Sequence, residues 1–388
     1  MNTAVVMFAS ADGTADPRIA KEAAALAEDG WDITVLAWDR AGVHPPVLDM
    51  GTWRIENIGL QACHGAGMRN VAGYLAYWRA AAKRAREIGP DVVHCHNLDT
   101  VPAALRTLRG SRGARGPRPR WVLDFYEIYR ESRALPQRGL AGVVARAAAR
   151  YLEHRSIPRA DVVITVLEGQ VYYYEELGAR RIVVVENAPD PARYSVVTRD
   201  EPEFVVSFIG QKRWVPSLAS LMKAIQPHPE MRALLVGGGP AEAQVAEMAA
   251  SYERVEVTGR VEPEEIPALY HRCDAVYACY DNSLLNWRTS LPVKAMEGMA
   301  SGLPIIVTKG SWIGDFAEHH NVGVAVDDRD PADVERGLVA LASDREAARE
   351  MGRRGREIIE RDLNWEAAAR RLKEAYAMLG IERRVSVD

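Results

Sequence analysis

The 388-residue chain is 48% apolar and 26% charged, with 49 Lys and Arg against 53 Asp and Glu for a formal net charge of −4. That composition and length exclude a disordered or disulfide-stapled chain and point to two domains rather than one core. No apolar run approaches the ~20 residues that span a membrane. The four cysteines (Cys63, Cys95, Cys273 and Cys279) show no C-x-x-C spacing and read as small core residues in a reducing compartment.

Charge is unevenly spread. Residues 1–195 carry 25 Lys and Arg against 22 Asp and Glu, the remainder 24 against 31, and residues 69–159 carry 18 against 7. Such a basic field attracts an anionic substrate, an anionic membrane face or nucleic acid, or is simply a solvated surface.

The chain enters a strand at once (Thr3 to Phe8), with no basic and apolar leader, so a cytoplasmic location is expected. Residues 9–17 form a polar loop containing Gly13. Ile19 to Glu28 has helical periodicity stopped by Gly30, and Asp32 to Trp38 is the next strand. This β–loop–α–β opening implies a parallel sheet whose ligand edge lies at the strand C-termini.

Residues 69–88 read as a helix. Leu75, Trp78 and Ala82 fall on one side, and Arg79, Lys83 and Arg86 on another, the pattern of an interfacial helix. Aromatic residues at that spacing also serve a core. Asp91 to Asn97 is a buried strand ending in His94-Cys95-His96, whose alternation puts both histidines on one side. A zinc site is a rival reading, but no third ligand sits at recognisable spacing. Residues 110–120 are a flexible basic loop. Trp121 to Phe125 is a strand with the polar tip Tyr126-Glu127-Ile128-Tyr129. Leu140 to His154 is an Ala-rich helix, Asp161 to Leu167 and Arg180 to Asn187 are strands, and Pro189 and Pro191 stiffen a linker of the kind that ends a domain.

The second half restarts the alternation, with strands expected at Phe204–Ile209, Leu234–Val236, Val255–Thr258, Ala275–Cys279, Pro304–Thr308 and Val322–Val326. Gly210-Gln211-Lys212-Arg213 follows the first. Gly237-Gly238-Gly239-Pro240 follows the second; it is not G-x-G-x-x-G, which argues against a dinucleotide site. Gly259-Arg260-Val261 follows the third. Ser311 to Glu318 is expected to be a loop with Trp312 exposed, and Asn364 to Leu379 an amphipathic tail helix.

The most informative stretch is Ser290 to Thr308, SLPVKAMEGMASGLPIIVT. Pro292 opens a helix over Val293 to Ala300, Ser301-Gly302 closes it, and Ile305 to Val307 is a buried strand. Lys294 and Glu297 lie three apart, the spacing of a solvated helix pair. The stretch also resembles the P-x-K-x-x-E-x-M-A-x-G-x-P donor-site motif of family-4 retaining glycosyltransferases, through Pro292, Lys294, Glu297, Met299, Ala300, Gly302 and Pro304.

The resemblance implies a GT-B fold of two facing Rossmann-like domains, an acceptor domain over 1–190 and a donor domain over 191–364, with residues 365–388 returning to the first domain. It implies a nucleotide-diphosphate sugar as co-substrate, no cofactor or metal, and no nucleic-acid partner. Glu297 then binds the ribose hydroxyls, a task that suits a carboxylate facing a vicinal diol. Asp16, Pro17, Arg18, Ile19, Lys21, Glu22 and Ala23 match the family's first unit, where the loop with Gly13 faces the diphosphate. His96 contacts the donor sugar. Lys212 and Arg213, in compressed spacing after Gly210, neutralise the diphosphate. Gly238 belongs to the family's VGxGP turn, and Arg260 and Val261 border the base. Tyr126, Glu127 and Tyr129 border the acceptor, where related chains carry His in place of Tyr126. Thr289 stands where many members have a second Glu.

The expected function is sugar transfer to a small soluble acceptor (a natural product, cyclitol or sugar, through oxygen or sulfur). The alternative is a lipid-linked acceptor, with peripheral membrane contact through 69–88. A nucleotide-sugar 2-epimerase and a degenerate partner subunit are the remaining readings.

Overall fold

The computed structural model describes residues 3–11, 16–62, 70–110, 118–132, 135–136 and 139–381. Gly13, Cys63 and most of the basic 110–120 stretch lie outside them. The chain divides into two compact units, 1–186 with 368–388, and 187–367.

Among the described residues the first unit holds an eight-stranded sheet. Its strands are β1 (Ala4–Ala9), β2 (Asp32–Ala37), β3 (Val47–Asp49), β4 (Arg54–Asn57), β5 (Val92–His96), β6 (Arg120–Phe125), β7 (Val162–Thr165) and β8 (Ile182–Val184), in the order β3-β4-β2-β1-β5-β6-β7-β8. All pairs are parallel except β3 with β4. Strand order reverses at β1, which lies between β2 and β5 and so places a ligand crevice at their carboxyl ends. The helix after β1 begins at Pro17, earlier than its apolar periodicity suggests. Asp16 caps it by accepting from the Arg18 amide, and Pro17 fills the first helical position.

Strand β3, at the edge, and β4 beside it carry no signal in the sequence. Only Ile55 of their seven residues is buried, so neither shows an apolar run. Pairing of β4 with β2 supplies what composition does not.

The second unit holds a parallel six-stranded sheet of β9 (Phe204–Ile209), β10 (Met231–Val236), β11 (Val255–Thr258), β12 (Ala275–Tyr277), β13 (Ile305–Thr308) and β14 (Gly323–Val326). The order is β11-β10-β9-β12-β13-β14, with the reversal at β9. Strands β9, β12 and β13 are buried along their whole length, which is why they read as near-continuous apolar runs. Phe204, Val206 and Phe208 pack in one core with Leu218, Leu221 and Met222 of the helix Val215–Ile225. Each unit is thus a Rossmann-like α/β layer structure.

Ser311 to Glu318 is not a loop. It lies in the helix Trp312–His320, whose amino end is capped by Ser311 Oγ accepting from the Gly314 amide. Asp315 in the first turn complements the helix dipole. Trp312 is half-buried and stacks on Phe316 at 5.2 Å.

The tail helix spans Trp365–Ala377. In the first unit Tyr376 meets His94, and Arg371 donates to the Glu186 carboxylate and the Val184 carbonyl. Cys95, Cys273 and Cys279 are buried and free. Among the described residues no helix is long and apolar enough to cross a membrane.

Candidate functional site

In the second unit the motif helix Val293–Ala300 follows Pro292 and ends before Gly302, which takes φ +71°. Glu297 points each carboxylate oxygen at a phenol. Tyr194 donates to Oε1 and Tyr270 to Oε2, both at 2.9 Å. Burial pushes the Glu297 carboxyl up, against the two tyrosine hydrogen bonds and Lys294. A carboxylate has about four acceptor positions, so two remain for a ligand.

The solvated-pair reading of Lys294 and Glu297 fails. Lys294 is 5% exposed and its ammonium has no hydrogen-bond partner. The nitrogen lies 3.2 Å from the Phe208 ring centroid and 4.9 Å from that of Tyr280. Burial holds its pKa well below the ordinary lysine value. Thr289 turns its hydroxyl back onto the carbonyls of Leu285 and Asn286.

The turns after β9, β10 and β11 meet at the carboxyl edge of the sheet. Lys212 is fully buried, and its ammonium donates to the carbonyls of Gly237 and Thr258, the latter at 2.7 Å. Its backbone amide donates to the Gly238 carbonyl at 2.7 Å. A side chain on Gly237 would place Cβ 2.3 Å from the Gly210 carbonyl oxygen, and one on Gly239 2.6 Å from that of Lys212. The glycines are therefore required by backbone-to-backbone approach of two turns. Lys212 stitches these turns together, so its charge is committed to carbonyls. Arg213 is exposed and rests on the Gln211 side chain. Arg260 is exposed and Val261 half-buried.

In the first unit His94 and His96 stack at 4.4 Å on one face of β5. Nδ1 of His94 meets the Tyr376 hydroxyl at 2.8 Å; Nδ1 of His96 lies 3.0 Å from the Tyr126 hydroxyl and 3.3 Å from Asp124 Oδ2. Arg18, buried in the helix Pro17–Glu28, donates through Nε and Nη2 to the two oxygens of Asp124 at 3.1 and 3.0 Å, and lies 2.8 Å from Glu22. Asn97, at the end of β5, takes φ +65° and accepts from the Tyr126 amide. A non-glycine residue held there is a strain that clusters at functional sites. Tyr126, Glu127 and Tyr129 are all half-buried at the carboxyl end of β6.

Glu22, His94, His96 and Asp124 bring ligand-type atoms within 4.8 Å of one another, all buried. The fold thus supplies carboxylates that sequence spacing did not reveal. Yet the cation opposite them is Arg18. Asp124 is held well below the usual carboxylate range by the Arg18 guanidinium and by His96, against its burial, whereas burial pushes Glu22 well up, with the nearby Asp124 charge adding to this and Arg18 opposing it. His94 is driven well down by burial and by His96. Arg18 is thus the counter-ion of the Asp124 carboxylate, so the cluster already holds its own cation. Sequence reading missed Arg18, Glu22 and Asp124 as a site, although Arg18 and Glu22 share the buried helix face with Ile19 and Ala23.

Two Rossmann-like units with polar clusters at their strand ends, plus comparison with known proteins, define the class. Residues 13–188 match the family model described as a glycosyl transferase 4-like domain, and residues 195–358 that of glycosyl transferases group 1. A glycogen synthase of Mycobacterium tuberculosis is 24% identical over 384 residues, covering 91% of this chain and 88% of that protein. A D-inositol 3-phosphate glycosyltransferase of Salinispora tropica is 23% identical over 404 residues, covering 94% and 80%. The solved sucrose-phosphate synthase from Thermosynechococcus elongatus superposes with a TM-score of 0.78 at 16% identity over 97% of this chain and 99% of that one. The chain has the GT-B fold and is a nucleotide-sugar-dependent glycosyltransferase. It belongs to the family-4 type, with a 4-like first half and a group 1 second half.

Proposed function

We propose that the enzyme is a retaining glycosyltransferase that moves a sugar from a nucleotide-diphosphate donor to a small soluble acceptor such as a cyclitol or sugar, through oxygen or sulfur. The observation that carries the donor side is Glu297. Tyr194 and Tyr270 fix both its oxygens, leaving acceptor capacity for the ribose diol. Arg213, exposed after Gly210 in the same unit, is the candidate exposed partner of the diphosphate. The anomeric carbon–phosphate oxygen bond breaks while the acceptor atom bonds on the same face, and the acceptor proton passes to the departing phosphate. The protein positions the two substrates and stabilises developing charge, without a metal. The names of the inositol-phosphate and glycogen relatives support a soluble hydroxyl acceptor, whereas a phosphatidylinositol monomannoside mannosyltransferase of Mycobacterium tuberculosis, 26% identical over 198 residues, supports a lipid one.

The lipid-linked reading is also favoured by a structural observation, on the helix Gly139–Ser156. Leu140, Val143, Val144 and Tyr151 are exposed there, beside exposed Arg150 and Arg155. On the helix Val71–Ile88, residues that suggested such a face are engaged within the first unit. Tyr77 is buried against the carbonyls of Ala9 and Leu36, Trp78 donates to the Asp99 carbonyl, and Arg84 pairs with Glu56 and Glu87.

The test is incubation with UDP-glucose and GDP-mannose, each against inositol, inositol phosphate, simple sugars and lipid-linked acceptors, with the product anomer read by NMR. Retention of configuration on a soluble acceptor is expected. An inverted anomer would refute the retaining assignment, and turnover confined to lipid-linked acceptors would select the second reading.

A further inference from the structure

Lys294 is the one charged group of the second unit's candidate site whose polar atom is both buried and without a partner among the described residues. Its location is specific. A Cβ built on Gly210 would lie 3.2 Å from the ammonium nitrogen and 3.1 Å from Cε, so the ammonium sits directly against the first residue of the turn after β9. Lys212, the basic residue that sequence spacing nominates for the diphosphate, instead gives its ammonium to two carbonyls.

We propose that Lys294 is the cation recruited by the diphosphate of the donor, and that it takes up a proton as that anion docks beside Gly210. The inference rests on the nucleotide-sugar reading of this site.

Among the described residues no acceptor bonds the Lys294 ammonium, and the Glu297 carboxyl three residues on favours its charged form without pairing with it. On its own helix Glu297 is held by Tyr194 and Tyr270. From β9 it meets the Phe208 ring, and from beyond β12 the Tyr280 ring. The Cys279 thiol is kept protonated by burial, and the Tyr280 phenol is pushed up by burial with only Arg213 opposing. Two ring faces attract an ammonium, but they offset only part of the loss of its hydration. A buried amine in that position sheds its proton more readily than an exposed one, and its pKa is accordingly lowered well below the lysine norm.

A diphosphate on the Gly210 turn supplies a paired anion and raises that pKa. The sign follows. Between the free and bound values the empty site is neutral and the filled one charged, so binding takes up a proton; below the free value both are charged and nothing is exchanged.

The experiment is calorimetry of UDP-glucose and GDP-mannose binding at about pH 8, in two buffers of different ionisation enthalpy. The esterified diphosphates of these donors do not titrate there, so the buffer dependence counts protons on the protein. Expected is net proton uptake by the protein as the donor binds. Lys294→Met is expected to bind more weakly with the uptake abolished, and Lys294→Arg to bind with no uptake, since its charge is permanent. Glu297→Gln is expected to leave the uptake in place, because a carboxyl meeting a diol would release a proton instead. Binding by the unsubstituted enzyme with equal apparent enthalpies in both buffers would overturn the proposal while leaving the donor reading intact. Failure of both donors to bind would overturn the two together.

Discussion

The phenol of Tyr270 donates to Oε2 of Glu297 at 2.9 Å, tying the last residue of the short helix Ile266–Tyr270 to the middle of the motif helix. Tyr194 repeats the arrangement on Oε1. The carboxylate is therefore oriented before any ligand arrives, which lowers the ordering cost of binding a diol.

Glu297→Ala should weaken nucleotide-sugar binding by ~2–3 kcal/mol, the loss of hydrogen bonds to a charged acceptor, with the fold retained. Tyr270→Phe should cost about 1 kcal/mol of the same affinity. The Glu297 carboxyl is raised by burial, so donor affinity should fall as pH drops through that raised value. Tyr270→Phe removes a bond that favours the ionised form, so its acid limb should move to higher pH. Isothermal titration across pH checks both, and an unchanged affinity in Glu297→Ala would remove the ribose assignment.

Arg18→Met should destabilise the first unit by about 3–5 kcal/mol, because it leaves Asp124 buried without its guanidinium. Asp124 has a depressed pKa, so its stabilising contribution is present above the ordinary carboxylate range and is lost as pH falls through the depressed value. Chemical denaturation at neutral pH measures the difference.

Glu22 has the opposite sign. Its raised pKa means the folded chain holds a proton that the unfolded chain releases above 4.5, so stability falls as pH rises from there toward the raised value. Glu22→Gln keeps shape and neutrality, and should flatten that slope without loss of stability at neutral pH. A steeper slope in the variant would show that Glu22 is ionised in the fold.

Metal independence is expected because arginine and lysine supply the charge at the candidate diphosphate site. Transfer activity should persist in excess chelator. Complete loss, restored by magnesium or manganese, would assign that charge to an ion instead.

What could be read beforehand follows from where the signal is stored. Parallel strands such as β9 and β13 are buried on both faces, so their residue types alone declare them. The motif helix carried its own start and stop in Pro292 and Gly302. The helix Trp312–His320 carried a cap at Ser311 too, and Trp312, Ile313, Phe316 and Ala317 at helical spacing, a signal that could have identified it. The partnership of Arg18 with Asp124 spans 106 positions and exists only once β6 lies near the first helix. Lys212 and Lys294 could not be told apart by type. What separates them is which carbonyls the chain brings within reach, and only three-dimensional placement decides that.

The acceptor reading makes a prediction about membranes. Sequence alone pointed to Trp78 and Arg84, but both are engaged within the first unit, so changes there would test folding rather than binding. The exposed apolar and basic residues lie on the helix Gly139–Ser156 instead, with Leu140 79% and Tyr151 66% exposed. A docked basic residue contributes ~1 kcal/mol at an anionic surface, so Arg150 and Arg155 without apolar insertion give only weak attachment. With a soluble acceptor, the enzyme should stay in the supernatant when spun with anionic vesicles at physiological salt. Strong sedimentation that Tyr151→Ser or Arg150→Glu abolishes would place the acceptor at a membrane and reverse the choice between the two acceptor readings.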